Sequence, residues 1–160
     1  MITYLIGDAT APKERPAVIT HVCNDMGLWG AGFVLTVSRR WERPEEVYRR
    51  EHLSGGLTLG ALQLVAVGEN LWVANLIGQH GIRQAGAKAP IRYRAIRTAL
   101  TTLGAEARQL RASVHMPRIG CGLAGGRWEL IEPIIEETLA GLSVTVYDLP
   151  RLLPDPGRTA

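Results

Sequence analysis

The sequence predicts an α/β domain of three layers, in which a central mixed sheet is covered by helices on both faces. Three observations lead there. The apolar stretches follow the order β, β, α, α, β, β, α, β, α, β, so helices are available to both faces of one sheet. ALQLVAVG and LWVANLI are joined only by Glu69-Asn70, which reads as a hairpin and adds an antiparallel pair. Two glycine-rich runs, NDMGLWGAG and MPRIGCGLAGG, each stand between a strand and a helix. A chain of 160 residues fits one such domain, expected over 1–149 with a proline-rich tail over 150–160.

ITYLI is the first strand, ended by Gly7-Asp8. AVITHVC is the second, with Val18, Thr20 and Val22 on one side and Ile19, His21 and Cys23 on the other. FVLTVSRRW has the β-branched residues of a strand, but Phe33, Val37 and Trp41 recur at helical spacing after a loop, and it is assigned to a helix. PEEVYRREHL places Pro44 at the first helical position, Glu45 and Glu46 in the first turn and Arg49 and Arg50 near the end, as the helix dipole prefers. After the hairpin and the loop GQHGIRQAGAKAP, the apolar positions Ile96, Ala99, Leu100, Leu103, Ala107 and Leu110 mark a long amphipathic helix within 91–110. SVHMPRI is the next strand, 127–140 a helix closed by Gly141, and SVTVYDL the last strand.

Composition narrows the function. With 46% hydrophobic and 21% charged residues, the chain is neither disordered nor a membrane protein by composition. No stretch reaches spanning length, and the apolar run after Met1 is too short for a signal-peptide core, so the cytoplasm is the expected compartment. Cys23 and Cys121 are too few for a disulfide framework. The net charge is +3 and every cation except Lys13 and Lys88 is arginine. Scattered as they are, these charges suit an anionic ligand rather than a dedicated nucleic-acid binder.

A glycine-rich bend lets something large approach bare main chain, and the helix after it points unpaired N–H groups at the visitor; phosphate is the simplest occupant. Gly120, Gly122 and Gly125 do satisfy G-x-G-x-x-G. A dinucleotide fold, however, builds further strand and helix units after its fingerprint, and here only a short tail remains, so nicotinamide or flavin binding is not expected.

Three features then coincide: Gly7-Asp8-Ala9-Thr10 at the end of the first strand, HVCNDMGLWGAGF after the second, and MPRIGCGLAGG before the late helix. Together, over residues 2 to 148, they resemble the macrodomain family, whose members bind ADP-ribose. Within that family, HVCNDMGLWGAG and MPRIGCGL look most like the branch containing the terminal ADP-ribose protein glycohydrolase and the yeast-type ADP-ribose-1″-phosphate phosphatase. The resemblance implies that Asp8 accepts from the adenine amino group, that Ala9 lies beside it, and that Asn24 meets the distal ribose. It places Trp29, Gly30, Ala31 and Gly32 on one side of the distal ribose and diphosphate, and Ile119, Gly120, Cys121, Gly122 and Leu123 on the other. No metal or cofactor is implied, since amides can neutralise phosphate unaided.

Each residue also has a plainer reading. Asp8, Asn24 and Asp25 are common turn-formers, Trp29 can be a core aromatic, and Arg118 either touches phosphate or is solvated. His21, His80 and His115 read as packing or hydrogen-bonding residues.

Lysine-using glycohydrolases of that branch carry a catalytic Lys just after the strand matching LWVANLI and an Asp just after the G-C-G-L segment. Here Gly78 and Gln79 stand at the first place and Ala124 at the second, which argues against a covalent lysine mechanism. Cleavage of an ADP-ribosyl ester of Glu or Asp remains open, because a carboxylate of pKa about 4 leaves with little protonation. The expected activity is therefore hydrolysis of ester-linked ADP-ribose from proteins, with Asn24 placing the ribose and either Asp25 or Gln79 orienting water. Two alternatives stay open, a non-catalytic ADP-ribose reader and an ADP-ribose-1″-phosphate phosphatase, as does nucleic-acid-linked ADP-ribose as substrate. A monomer is expected.

Overall fold

A computed structural model describes residues 1–82 and 88–150; the expected tail beyond Pro150 lies outside the described residues. The elements are β1 (Ile2–Ile6), β2 (Ala17–Asn24), α1 (Phe33–Arg40), α2 (Arg43–Leu53), β3 (Leu62–Gly68), β4 (Leu71–Gln79), α3 (Tyr93–Leu110), β5 (Ser113–Met116), α4 (Trp128–Thr138) and β6 (Val144–Asp148). Their order is the one read from periodicity. Boundaries differ where local chemistry intervenes. β5 stops at Met116 because Pro117 has no N–H to continue a ladder. β4 runs on to Gln79, which pairs both with Asn24 and with Ile91.

Six strands form one sheet in the order β1-β6-β5-β2-β4-β3. All neighbours are parallel except β3 and β4, which form the hairpin. The turn residue Asn70 has φ 53°, a left-handed conformation that Asn tolerates. On one face α3 and α4 cover Val18, Ala74, Leu76, Val114, Met116, Val144 and Val146. Gly104 lets those helices meet closely, since a Cβ there would lie 2.5 Å from the Thr138 carbonyl oxygen. On the other face α1 and α2 bring Val34, Val37 and Tyr48 against Ala17, Ile19, Val73 and Ile77. That layer packs on the β2, β3 and β4 side of the sheet. On β5 and β6 the buried His115 instead joins a polar chain, with Ser113 Oγ 2.7 Å from Nε2 and the Tyr147 hydroxyl 2.8 Å from Nδ1.

Because β1, β2, β4, β5 and β6 run the same way, the loops leaving their C-terminal ends gather along one edge of the sheet. Open α/β sheets bind ligands at that edge. Here it receives Gly7-Asp8, the 24–32 loop, the segment after Gln79, the 117–126 loop and Leu149.

Candidate active site

The register of β2 against β4 sets out the centre of this edge. Asn24 is paired with Gln79 just after an irregularity at Cys23/Asn24, the kind of local shift that re-aims a side chain. The Asn24 amide is engaged within its own loop. Its Oδ1 accepts from Met26 N at 2.9 Å, Leu28 N at 3.2 Å and the Tyr48 hydroxyl at 2.7 Å, while Nδ2 donates to Leu28 O at 2.7 Å. Asn24 therefore acts first as the organiser of the glycine-rich loop. Tyr48, fully buried on α2, reaches across to hold it.

One rung further out, Asp25 and His80 meet. Asp25 does not face solvent freely: its side chain is 15% exposed, and its carboxylate takes His80 Nδ1 at 2.6 Å and Gly81 N at 2.9 Å. Burial works against the carboxylate, but the Gly81 amide and His80 outweigh it and hold Asp25 below the usual carboxylate range. Gln79 donates from Nε2 to Gly81 O at 2.9 Å. The two residues expected to orient water are thus both tied to the segment after β4.

Trp29 takes the plainer of its two readings, that of a core aromatic. Its ring is 3% exposed, packs 5.2 Å from Tyr48 and edge-on to His21 at 5.4 Å, and donates from Nε1 to Ser38 Oγ at 2.7 Å. The side chain belongs to the core, where Tyr48, His21 and Ser38 hold it. Gly30, Ala31 and Gly32 follow, and Gly32, at φ 84°, opens α1.

The opposite wall is the 117–126 loop. Ile119 is buried beneath it, and Gly120 at φ 72° is braced by the Gly126 N–H donating to its carbonyl at 2.7 Å. Cys121 and Gly122 form the crest, and Leu123, 69% exposed, leans toward the other loop. A Cβ on Gly32 would lie 3.6 Å from Leu123 Cδ1, so the two glycine-rich loops face each other at close range. Ala124, where a related enzyme would carry Asp, is buried and accepts from Ile91 N at 3.1 Å. Neither cysteine is a ready nucleophile: burial pushes the Cys23 thiol well up, and it also raises Cys121, with Arg118 opposing.

Beside these loops lies a crevice of about 650 Å³ lined by Ile6, Arg118, Asp148, Leu149 and Pro150, within the range of small-molecule sites. Asp8 stands next to it, since Gly7 N donates to Asp148 O at 2.9 Å. The Asp8 carboxylate accepts from Thr10 N at 2.8 Å and Thr10 Oγ at 2.6 Å and pairs with Arg40 at 3.3 Å. Partial burial alone would raise its pKa, but these donors lower it. Asp8 thus caps a turn, as its plainer reading had it, and stays ionised next to Gly7, which bonds to the crevice residue Asp148; Ala9 beside it is buried.

Arg118, which also lines the crevice, is engaged with protein groups. It forms a bidentate pair with Asp148 at 2.7 and 3.0 Å and lies 5.2 Å from the Tyr4 ring and 5.1 Å from the Trp128 ring. Sequence reasoning named Arg118 and His80 and missed their partners, which are distant along the chain. Among the described residues, no three His, Cys, Asp or Glu side chains gather to hold a metal, and no helix is long and apolar enough to cross a membrane.

Below the β2 loop, His21 bonds Asn75 Oδ1 at 2.7 Å. Burial lowers its pKa from 6.5 to about 4, with the Asn75 bond opposing. The unfolded chain therefore binds the extra proton between these values. Stability is fully present above about pH 6.5 and falls as the pH drops toward about 4, by about 3 kcal/mol over the window at about 1.4 kcal/mol per unit. Thermal melts across that range should show a steeper loss for the wild type than for His21→Phe; equal slopes would contradict the assignment.

No family model matches the chain. Among solved structures, a Bacteroides thetaiotaomicron protein of unknown function is 53% identical with a TM-score of 0.90, over 93% of this chain and 98% of that one. A macrodomain protein from Streptomyces coelicolor is 51% identical with a TM-score of 0.82, over 92% of this chain and 99% of that one. Among curated proteins, chromodomain-helicase-DNA-binding protein 1-like of Mus musculus is 32% identical over 94% of this chain, which spans only 18% of that longer protein. The ADP-ribose 1″-phosphate phosphatase of Saccharomyces cerevisiae is 26% identical over 92% of this chain and 98% of its own length. ADP-ribose glycohydrolase OARD1 of Bos taurus is 26% identical over 92% of this chain and 91% of its own. Half identical to a solved macrodomain that it matches almost end to end, and built on the same arrangement of strands, the chain belongs to the macrodomain family.

Proposed function

We propose that the protein is an ADP-ribosyl hydrolase that removes ADP-ribose from Glu or Asp esters on proteins without a catalytic lysine. The observation that carries this reading is the facing of two glycine-rich loops at the edge of the sheet where the first strand ends in the ionised Asp8. Asp8 would accept from the adenine amino group. Main-chain amides of Gly30, Ala31 and Gly32 on one side, and of Gly120, Cys121, Gly122 and Leu123 on the other, would hold the diphosphate. Asn24, by fixing the bend from Met26 to Leu28, would set where the distal ribose rests. The ester leaving group suits a site with Gln79 and Ala124 where related enzymes use Lys and Asp, because an expelled carboxylate needs little help from an acid. The likeness to a protein named as an ADP-ribose glycohydrolase supports the substrate class.

The experiment is incubation with a glutamate-linked ADP-ribosylated protein, following release of ADP-ribose, beside calorimetric titration of ADP-ribose into wild type and Asp8→Ala. Release above a buffer control and weakened binding by Asp8→Ala are expected. Tight binding without release would leave a reader. A second reading, removal of the 1″-phosphate from ADP-ribose-1″-phosphate, is favoured by the near full-length likeness to the Saccharomyces cerevisiae phosphatase; phosphate release in place of ester cleavage would select it.

A further inference from the structure

We propose that His80, oriented by Asp25, is the general base that activates the hydrolytic water, an inference that rests on the hydrolase reading above. The register of the sheet puts the pair there. Asn24 is opposite Gln79 on β2 and β4, so the next residue of each strand emerges at the same end of the groove. Asp25 N donates to Gln79 O at 3.0 Å and His80 N to Pro90 O at 2.8 Å, which fixes both backbones before the side chains meet. Those side chains then divide the work. The carboxylate is 15% exposed and gripped by Gly81 N, whereas the imidazole is 62% exposed.

The protonation pattern follows from the contact. Asp25 is held ionised by its donors, and an ionised carboxylate can only accept. The proton in the 2.6 Å contact therefore sits on His80 Nδ1, so that in the neutral imidazole the lone pair lies on Nε2, on the far side of the ring from Asp25. An acid that fixes the tautomer of a histidine whose other nitrogen is open is the base-and-orienter arrangement of general base catalysis. Asp25 is thus a positioning residue, and neither Asp25 nor Gln79 needs to touch water. In the step, a water oxygen bonds to the anomeric carbon of the distal ribose as the bond from that carbon to the ester oxygen breaks. His80 Nε2 takes one water proton, the protein side chain leaves as a carboxylate carrying the bonding pair, and the imidazolium later gives its proton to solvent. The products are ADP-ribose, a free Glu or Asp and one proton.

The test uses the full chain with a glutamate-linked ADP-ribosylated protein as substrate and ADP-ribose as binding probe. His80→Ala and His80→Gln should each lower kcat by about 10²- to 10⁴-fold while ADP-ribose affinity changes by less than about threefold. Because the ring is exposed, added imidazole should restore turnover to His80→Ala and not to His80→Gln, whose side chain fills the space. Asp25→Asn should lower kcat with little change in KM. Wild-type turnover kept in His80→Ala, affinity lost in step with turnover, or absence of imidazole rescue would each overturn the role of His80 while leaving the hydrolase reading intact. An inactive wild type that still binds ADP-ribose would instead remove the hydrolase reading, and this role with it.

Discussion

Gly126→Val should lower the melting temperature and reduce ester hydrolysis by about 10²-fold or more, a loss of the size that follows a misplacement of about 1 Å in a positioning loop. A Cβ at Gly126 would lie 2.4 Å from the Gly120 carbonyl oxygen and 2.8 Å from Ile91 Cδ1. The isoleucine tip can move, but the carbonyl belongs to the backbone of the Gly120 bend and is the acceptor of the Gly126 N–H itself. Relief requires opening that bend. Overpacking of this kind costs about 1–3 kcal/mol, and the lost hydrogen bond adds about 1 kcal/mol. Gly122 is the internal comparison: nothing lies within 4 Å of a Cβ there, so Gly122→Ala should melt close to the wild type. Differential scanning calorimetry of both variants, with a turnover assay on Gly126→Val, checks the expectation. An unchanged melting temperature for Gly126→Val would show that the bend yields freely.

Tyr48 should matter nearly as much from the other side of the sheet. Tyr48→Ala removes a fully buried aromatic ring that packs on Trp29, and such truncations cost about 3–5 kcal/mol. Tyr48→Phe is the sharper variant. It keeps the ring but withdraws the hydroxyl, which lies 2.7 Å from both the carbonyl oxygen and Oδ1 of Asn24. Losing this hydrogen bond costs about 1 kcal/mol, since Oδ1 keeps the bonds from Met26 N and Leu28 N, and the 24–28 bend loses a tie to α2 while Arg49 still donates to Gly27 O. Urea unfolding should show a lower midpoint for Tyr48→Phe, and ADP-ribose titration a weaker affinity. Full stability with Tyr48→Phe would mean that Asn24 is held by its own loop alone.

Why some of this was legible in the sequence and some was not follows from where each signal resides. Element order is encoded locally. Phe33, Val37 and Trp41 announce α1 at helical spacing despite their β-branched company, and Glu69-Asn70 announces the hairpin within two residues. The glycine-rich runs were equally local, because positive φ and close approach are properties of single positions. The direction of Trp29 was not local: flanking glycines permit either an inward or an outward ring, and the choice belongs to Tyr48, His21 and Ser38, which lie on other elements. The meeting of Asp25 with His80, 55 positions apart, and of Arg118 with Asp148, 30 apart, depends on strand pairing. No window along the chain contains both partners. Asn24 was read for its contact with a ligand, whereas its visible work is to shape the loop, a role that only the Tyr48 hydroxyl and the Leu28 backbone reveal.

The adjacency of β1 and β6 has a consequence for how the domain assembles. The crevice between Ile6 and Asp148 is walled by strands that are neighbours in space and far apart in sequence. Pairing them closes a long stretch of chain, and such non-local contacts are slow to form because their loop-closure entropy is met before the contact rewards it. That wall of the crevice is therefore expected to be completed late, when the rest of the sheet is already in place.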